Sequence, residues 1–120
     1  MGIGALTDAI RHSWAADTSD DPSIWSPKNP ARGQCAVTAM VVRDYLGGKL
    51  LIAPVLRDGE RVEMHCWNVL PDGSQLDLTL DQFEYEYELG DAIEKDPIVD
   101  NTGVNRHEIL AVRVRQALAG

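Results

Sequence analysis

Apolar residues recur every four positions at the start of the chain, at Leu6, Ile10 and Trp14. This spacing puts their side chains on one face of a helix and predicts an N-terminal helix that ends before the polar stretch ADTSDDPS. A long loop follows through IWSPKNPARG, because its two prolines and its glycine disfavour regular structure. We expect Trp25 to anchor this loop to the body of the protein.

A second helical pattern begins at Cys35 and runs to the pair Gly47-Gly48. Glycine is the residue type that a left-handed helix C-cap favours, so the pair marks the end of this helix. The apolar residues that share its face are Val37, Val41 and Tyr45, with Met40 beside them.

After this helix the pattern changes to that of strands. The segments KLLIAPVL, RVEMHCWNVL and SQLDLTL are separated by the turn sequences RDGE and PDG, and they predict an antiparallel meander. Thr79 and Gln82 are placed to cap a short helical turn at LDQF, and the alternating segment EYEYE fits either a strand or a loop. Asn105 and Glu108 then form a capping-box-like start to a last helix. Its predicted buried face consists of Leu110, Val114, Ala117 and Leu118.

Helices that flank an antiparallel sheet define an α+β domain. The chain has 120 residues with 44% hydrophobic content, which is enough to bury a core without metals or disulfides. We therefore predict a single domain over residues 1–120.

The net charge of −8 narrows the set of partners. Acidic residues concentrate in EYEYELGDAIEKD, so phosphate backbones and anionic membranes are repelled, and we expect no nucleic-acid or membrane partner. The N-terminus does not fit a signal peptide, and no apolar run is long enough to span a membrane. We expect a cytoplasmic protein whose two cysteines are thiols, with no cofactor.

Cys35 is a candidate nucleophile because it lies in the first turn of a predicted helix. The helix dipole and the unpaired backbone N–H groups of that turn favour the thiolate form. A nucleophilic thiol also needs a base. Of the three histidines, His12 and His107 lie on helices where they are as readily surface residues, whereas His65 lies in a strand beside Trp67.

The turn at Pro71-Asp72-Gly73 gives a geometric test of this choice. A three-residue loop with glycine at its left-handed position pairs Leu70 with Ser74. In that register His65 and Asp77 are diagonal neighbours on one face of the sheet, within reach of a carboxylate–imidazole contact. A two-residue loop would instead put Asp77 opposite Asn68, on the other face.

Cys35, His65 and Asp77 thus form a set of nucleophile, base and orienting group. Their order and predicted elements resemble those of papain-like and transglutaminase-like cysteine enzymes. A closer resemblance is to the small bacterial YunG-type family, and it covers the chain from Trp25 to Phe83. The residues that carry it are Trp25, Asn29-Pro30, Gly33-Gln34-Cys35, Gly47-Gly48, His65-Cys66-Trp67-Asn68 and Asp77-Leu78-Thr79-Leu80-Asp81-Gln82-Phe83. The resemblance implies a small papain-like core with this triad and indicates no substrate.

An oxyanion hole would combine the Cys35 backbone N–H with a side-chain amide, for which Gln34, Asn29 and Asn68 are candidates. Papain-like proteases place a glutamine several residues before the nucleophile, whereas Gln34 is immediately adjacent to Cys35. We expect Asn68 to bond backbone and Trp67 to cover the site. Cys66 is interpreted as a core residue.

The expected chemistry is acyl transfer through a thioester to or from a peptide, amide or small-molecule acyl substrate. Hydrolysis, deamidation and transfer to an amine remain open, as does the oligomeric state. One alternative is a catalytically inactive binding module that docks a partner through its tryptophans and acidic surface. Another is a zinc-type site built from Cys35, His65, Cys66 and Asp77, but its spacing is poor because adjacent strand residues point to opposite faces.

Overall fold

The computed structural model describes residues 2–95 and 105–120 as three helices and an antiparallel sheet, which confirms the predicted α+β class. The helices are α1 (Ile3–Ser13), α2 (Cys35–Leu46) and α3 (Arg106–Ala119). The strands are β1 (Lys49–Arg57), β2 (Glu60–Val69), β3 (Gln75–Leu76), β4 (Glu88–Leu89) and β5 (Ile93–Glu94). None of the helices in the described ranges combines the length and the apolar composition that a membrane span needs.

Helix α1 buries the predicted stripe. Leu6 and Ile10 are buried on the helix, and Trp14 is buried just beyond its last residue. The Trp14 indole N–H donates a hydrogen bond to Thr38 Oγ1 at 3.0 Å, which ties the end of α1 to α2. In the following loop Trp25 is half-buried, and its indole N–H donates to the Pro30 carbonyl at 2.9 Å. This hydrogen bond joins two residues of the same loop.

Helix α2 begins and ends at the predicted residues. Its C-cap is Gly47, which has a φ of 74° and donates its N–H to the Arg43 carbonyl at 2.9 Å. Gly48 follows with a φ of 90°. A Cβ on Gly48 would lie 2.1 Å from the carbonyl oxygen of Val69, so the chain passes β2 at a distance that only glycine permits.

Strands β1 and β2 form the long hairpin of the sheet, joined by Asp58 and Gly59, which both have positive φ. The strand order is β3-β2-β1, and both β4 and β5 pair with β1. The EYEYE segment is mostly irregular and reaches strand conformation only at Glu88. Asp96, the last residue of the acidic segment, lies outside the described residues.

The second hairpin has the predicted register but a shorter strand. Leu70 donates its N–H to the Ser74 carbonyl at 2.8 Å, and the ladder then pairs Val69 with Gln75 and Asn68 with Leu76. The predicted strand over residues 74–80 is wrong beyond Leu76. The chain bends there because Asp77 Oδ1 accepts a hydrogen bond from the Thr79 N–H at 3.1 Å, a local bond that competes with the ladder.

The core has two parts, and α2 contributes to both. One part packs the three helices together, with Leu6, Ile10, Val37, Val41, Val42, Leu110 and Val114 at its centre. The other lies between α2 and the sheet and contains Cys35, Ala39, Met40, Leu50 and Cys66. Helix α2, which begins at Cys35, is therefore packed against the other helices on one side and against the sheet on the other.

Helix α3 begins as predicted, because the Asn105 side chain accepts a hydrogen bond from the Glu108 N–H at 3.1 Å. Leu110 and Val114 are buried and Leu118 packs against the core. The prediction of a buried Ala117 is wrong, because this residue is exposed near the end of the helix.

The close approach at Gly48 gives a stability prediction. Gly48→Ala should lower the free energy of unfolding by roughly 3 kcal/mol, the sum of the backbone cost of positive φ and of overpacking against Val69. Gly73→Ala is the matched control, because Gly73 has a φ of 88° but an open space around its Cβ position, and it should lose only about 1–2 kcal/mol. Equal losses in urea titrations would show that the contact with Val69 has no energetic role.

Candidate active site

Cys35 is the first residue of α2, and the backbone before it is held tightly. Gly33 has a φ of 73°, and a Cβ there would lie 2.2 Å from Ser19 Oγ and 2.6 Å from Asp20 Oδ1. The Asp20 N–H donates to the Gly33 carbonyl at 2.9 Å. Glycine is therefore required at this position so that the preceding loop can close on the start of the helix.

His65 is fully buried in β2 and contacts Asp77 directly. Its Nε2 lies 2.5 Å from Asp77 Oδ2, while the other oxygen of the same carboxylate accepts the bond from Thr79 that bends the chain. One carboxylate thus ends β3 and binds the imidazole. The structure brings together two of the three predicted triad residues through this contact.

Aromatic rings hold the imidazole from two sides. The Trp67 ring stacks on His65 with the centroids 5.6 Å apart, and Phe83 meets it edge-on at 5.0 Å. The Trp67 indole N–H donates to Gln75 Oε1 at 2.9 Å, which fixes the stacked ring to β3. These contacts leave the imidazole little freedom to rotate away from Asp77.

Gln82 is a site residue that the sequence analysis assigned only to a cap. It is buried, and its Nε2 lies 3.1 Å from His65 Nδ1. Its Oε1 accepts from the Gly33 N–H at 3.4 Å, and its backbone carbonyl accepts from Asn29 Nδ2 at 2.9 Å. Asn29 therefore supports Gln82 with its amide. In the sequence, Gln82 follows closely after Asp77 and Thr79, and this short spacing was the signal that could have placed Gln82 near His65.

The hydrogen bonds assign separate roles to the two imidazole nitrogens. A carboxylate only accepts hydrogen bonds, so Nε2 carries the proton that is directed at Asp77 Oδ2. Nδ1 is then the nitrogen available to exchange a proton with Cys35, and the Gln82 amide faces this same nitrogen.

Like Asn29, the other two predicted oxyanion candidates have partners elsewhere. Gln34 is fully buried, but its Oε1 accepts from Thr18 Oγ1 at 2.8 Å and its Nε2 donates to the Ala15 carbonyl at 3.0 Å. Asn68 donates to the Ala39 carbonyl at 2.8 Å and so ties β2 to α2. Both ends of the Gln34 amide therefore join the start of α2 to the segment that follows α1. Asn68 bonds backbone, as expected.

The surroundings of Cys35 favour its ionised form. A hydrogen bond with the Cys66 thiol lowers the pKa of Cys35 well below its usual value against the opposing effect of burial, and the hydrogen bond and charge of His65 lower it further. The Cys66 backbone amide adds to this effect. The hydrogen bond with Cys35, together with burial, raises the pKa of Cys66, so Cys66 is the neutral partner.

His65 is stabilised as an imidazolium. Burial alone would lower its pKa, but hydrogen bonds to Asp77 and Cys35 and the charges of both groups raise the pKa of His65 to about 9. The shifts of the two pKa values act in the same direction, since both favour transfer of the thiol proton from Cys35 to His65.

Cys66 is buried as predicted, but it also contacts the site. Strand alternation directs His65 and Cys66 to opposite faces, yet Cys35 interacts with both. Within the described residues, β3 pairs only with Asn68 and Val69, so no strand covers the edge of β2 beside His65 and Cys66. An uncovered edge leaves room for the start of α2 to approach these two neighbours.

A cleft of about 360 Å³ adjoins the site and shares Gln82 with it. The other residues that line the cleft are Ile24, Ser26, Asn29, Arg32, Glu84 and Tyr85. Two of these lining residues share a partner, since Glu63 binds Arg32 at 3.1 Å and accepts from the Tyr85 hydroxyl at 2.5 Å. The cleft therefore presents both polar groups and an aromatic ring next to Gln82.

The metal alternative finds no ligand cluster in the described part of the chain. Residues 2–95 and 105–120 contain no group of three or more His, Cys, Asp or Glu side chains arranged to hold an ion. The side chains named for that alternative instead make the contacts described above.

Comparison with known proteins identifies the family of the chain. A family model described as YunG protein matches residues 3–119, and the chain therefore belongs to the YunG family. The chain is 32% identical over 75 residues to the Uncharacterized protein YunG of Bacillus subtilis (strain 168), which is 62% of this chain and 57% of that protein. The chain thus spans less than two thirds of this relative. No solved structure matches.

The imidazole can be tested by NMR titration. We expect His65 to titrate near a pKa of about 9 in the wild type. The pKa should fall in Cys35→Ser and again in Asp77→Asn, since each change removes a negative charge that favours the imidazolium. Titration of His65 close to the ordinary value of 6.5 in the wild type would contradict the ion pair.

Proposed function

We propose that this YunG family member is a cysteine-dependent acyl-transfer enzyme with a small papain-like core and a Cys35-His65-Asp77 triad. The observation that carries the proposal is the buried imidazole of His65, which is bonded to Asp77 at 2.5 Å and also interacts with a thiol at the start of a helix. Separate polar partners for a buried imidazole are the arrangement that nucleophilic catalysis requires. The chain order of Cys, His and Asp is further support through its resemblance to papain-like and transglutaminase-like enzymes.

In the acylation step the Cys35 thiolate attacks a carbonyl carbon, and the carbonyl oxygen becomes an oxyanion. The tetrahedral intermediate then expels the leaving amine, which takes the proton from His65 Nδ1. A thioester on Cys35 and a neutral imidazole remain. Asp77 keeps the imidazole in the tautomer whose Nδ1 faces the reaction, and it stabilises the positive charge before transfer.

Two donors are proposed for the oxyanion. The first is the Cys35 backbone N–H, since the N–H groups in the first turn of a helix have no intrahelical acceptor. The second is Gln82 Nε2, which lies 3.1 Å from His65 Nδ1. Protonation of Nδ1 removes the acceptor for this amide N–H, which can then donate to the oxyanion. Gln82 takes the role that the sequence analysis considered for Gln34, Asn29 and Asn68.

Deacylation uses the same groups in reverse. Neutral His65 removes a proton from water or from an amine, and the resulting nucleophile attacks the thioester and releases Cys35. Hydrolysis of a peptide or amide, deamidation of glutamine and transfer to an amine all follow this route. The cleft beside Gln82 is the proposed entry for the acyl substrate, and a reducing cytoplasmic location would keep Cys35 available as a thiol.

The proposal is tested with a panel of peptidyl amides that release a fluorescent amine, followed by mass spectrometry of the protein. We expect amine release with a hydroxylamine-sensitive acyl group on Cys35. His65→Ala should lower the rate about 100-fold or more, because it removes the general acid and base. The matched control is His107→Ala, since His107 forms a second His–Asp pair with Asp44 at 2.6 Å on the surface.

Equal activity in His65→Ala and His107→Ala would contradict the triad. An intact protein that releases no amine and gains no acyl group from any member of the panel would favour the alternative of a catalytically inactive binding module.

Gln82 can be separated from the triad by comparing two reactions. Gln82→Ala should lower kcat/KM for amide hydrolysis about 100-fold, because an oxyanion donor acts mainly in the transition state. Alkylation of Cys35 by iodoacetamide forms no oxyanion, so its rate should change by no more than a few-fold. If both reactions slow equally, Gln82 positions His65 and does not bind the oxyanion.

A further inference from the structure

Cys66 has no part in the proposed acyl transfer, yet its side chain is buried in the same small cluster as the nucleophile. Cys35 and Cys66 are 6% and 5% exposed, and both belong to the apolar cluster between α2 and the sheet. Packing alone would be satisfied by any small apolar side chain at this position of β2. The use of a second thiol calls for a chemical explanation.

The contact between the thiols is held by the surrounding fold. Asn68, two residues after Cys66 on β2, donates to the Ala39 carbonyl of α2 at 2.8 Å, and this bond fixes the helix against the strand. Cys35 and Cys66 are thereby kept in one buried cluster, where the thiol and the backbone amide of Cys66 both lower the pKa of Cys35. Neither sulfur is part of a disulfide in this structure.

We propose that Cys35 and Cys66 form a peroxide-sensitive pair, in which a hydroperoxide oxidises Cys35 and Cys66 then closes a reversible disulfide. In the first step the Cys35 thiolate attacks the terminal oxygen of the hydroperoxide, and the O–O bond breaks. The alkoxide or hydroxide that leaves takes the proton of the His65 imidazolium, so the products are Cys35 sulfenic acid, an alcohol or water, and neutral His65.

In the second step the Cys66 sulfur attacks the Cys35 sulfur. The S–O bond breaks, and the hydroxyl group leaves as water with the proton of the Cys66 thiol, which neutral His65 can relay. Oxidation of Cys35 also makes Cys66 easier to ionise. The Cys35 thiolate raises the pKa of Cys66, and a neutral sulfenic acid removes that effect. The disulfide prevents further oxidation of the nucleophile to sulfinic acid, and a dithiol returns both thiols.

The full-length reduced protein tests this proposal directly. It is exposed to one equivalent of hydrogen peroxide, quenched in acid, and alkylated with N-ethylmaleimide in denaturant. We expect the wild type to lose both alkylatable thiols, to give a peptide pair linked through Cys35 and Cys66, and to recover both thiols fully in dithiothreitol. Cys66→Ala should instead accumulate dimedone-reactive sulfenic acid and then sulfinic acid at Cys35.

Sulfinic acid at Cys35 of the wild type, with Cys66 still alkylatable, would overturn the proposal, and so would disulfides that form only between molecules. The wild-type result decides this even if Cys66→Ala does not fold. Disulfide formation requires a reactive Cys35 but no acyl transfer. A disulfide without amide hydrolysis would therefore count against the proposed function alone, and amide hydrolysis without a disulfide would count against this inference alone.

Discussion

The contact between His65 and Asp77 is the interaction on which the rest of the site depends. A fully buried imidazole needs polar partners, because an unsatisfied ring nitrogen inside a protein carries the full cost of its lost hydration. Asp77 supplies one partner at 2.5 Å, while Gln82 and Cys35 face the remaining side. The carboxylate also affects the ionisation of its neighbours, since it favours the imidazolium form of His65, which in turn favours the thiolate form of Cys35.

The same carboxylate shapes the backbone around the site. By accepting the N–H of Thr79, Asp77 ends β3 after two residues and starts the turn that brings Gln82 to Nδ1 of the imidazole. The short β3 leaves the edge of β2 at His65 without a strand, and Cys35 at the start of α2 interacts with the residues there. The end of β3 and the position of Gln82 beside His65 therefore both depend on the Asp77 side chain.

Much of the fold was predictable because it depends on local signals. The four-residue spacing of Leu6 and Ile10, the glycine pair after α2 and the Pro71-Asp72-Gly73 turn each act over a few residues, and each predicted its element or register. The length of β3 was not predictable from alternation, since the side chain of Asp77 competes with the ladder for the backbone. The partners of Gln34 were not predictable for a different reason, since Thr18 and Ala15 are distant from it in sequence. The roles of Gln82 and Cys66 depend on tertiary contacts that strand periodicity does not encode.

The central claim is that Cys35 is a thiolate held by His65, and the pH dependence of its alkylation tests this most directly. Iodoacetamide labelling, resolved by mass spectrometry for Cys35 and Cys66, is compared in the wild type and His65→Ala. We predict rapid labelling of Cys35 well below the ordinary thiol pKa, slower labelling in His65→Ala, and little labelling of Cys66 in either protein. Slow labelling of Cys35 that follows an ordinary thiol profile and is unaffected by His65→Ala would contradict it.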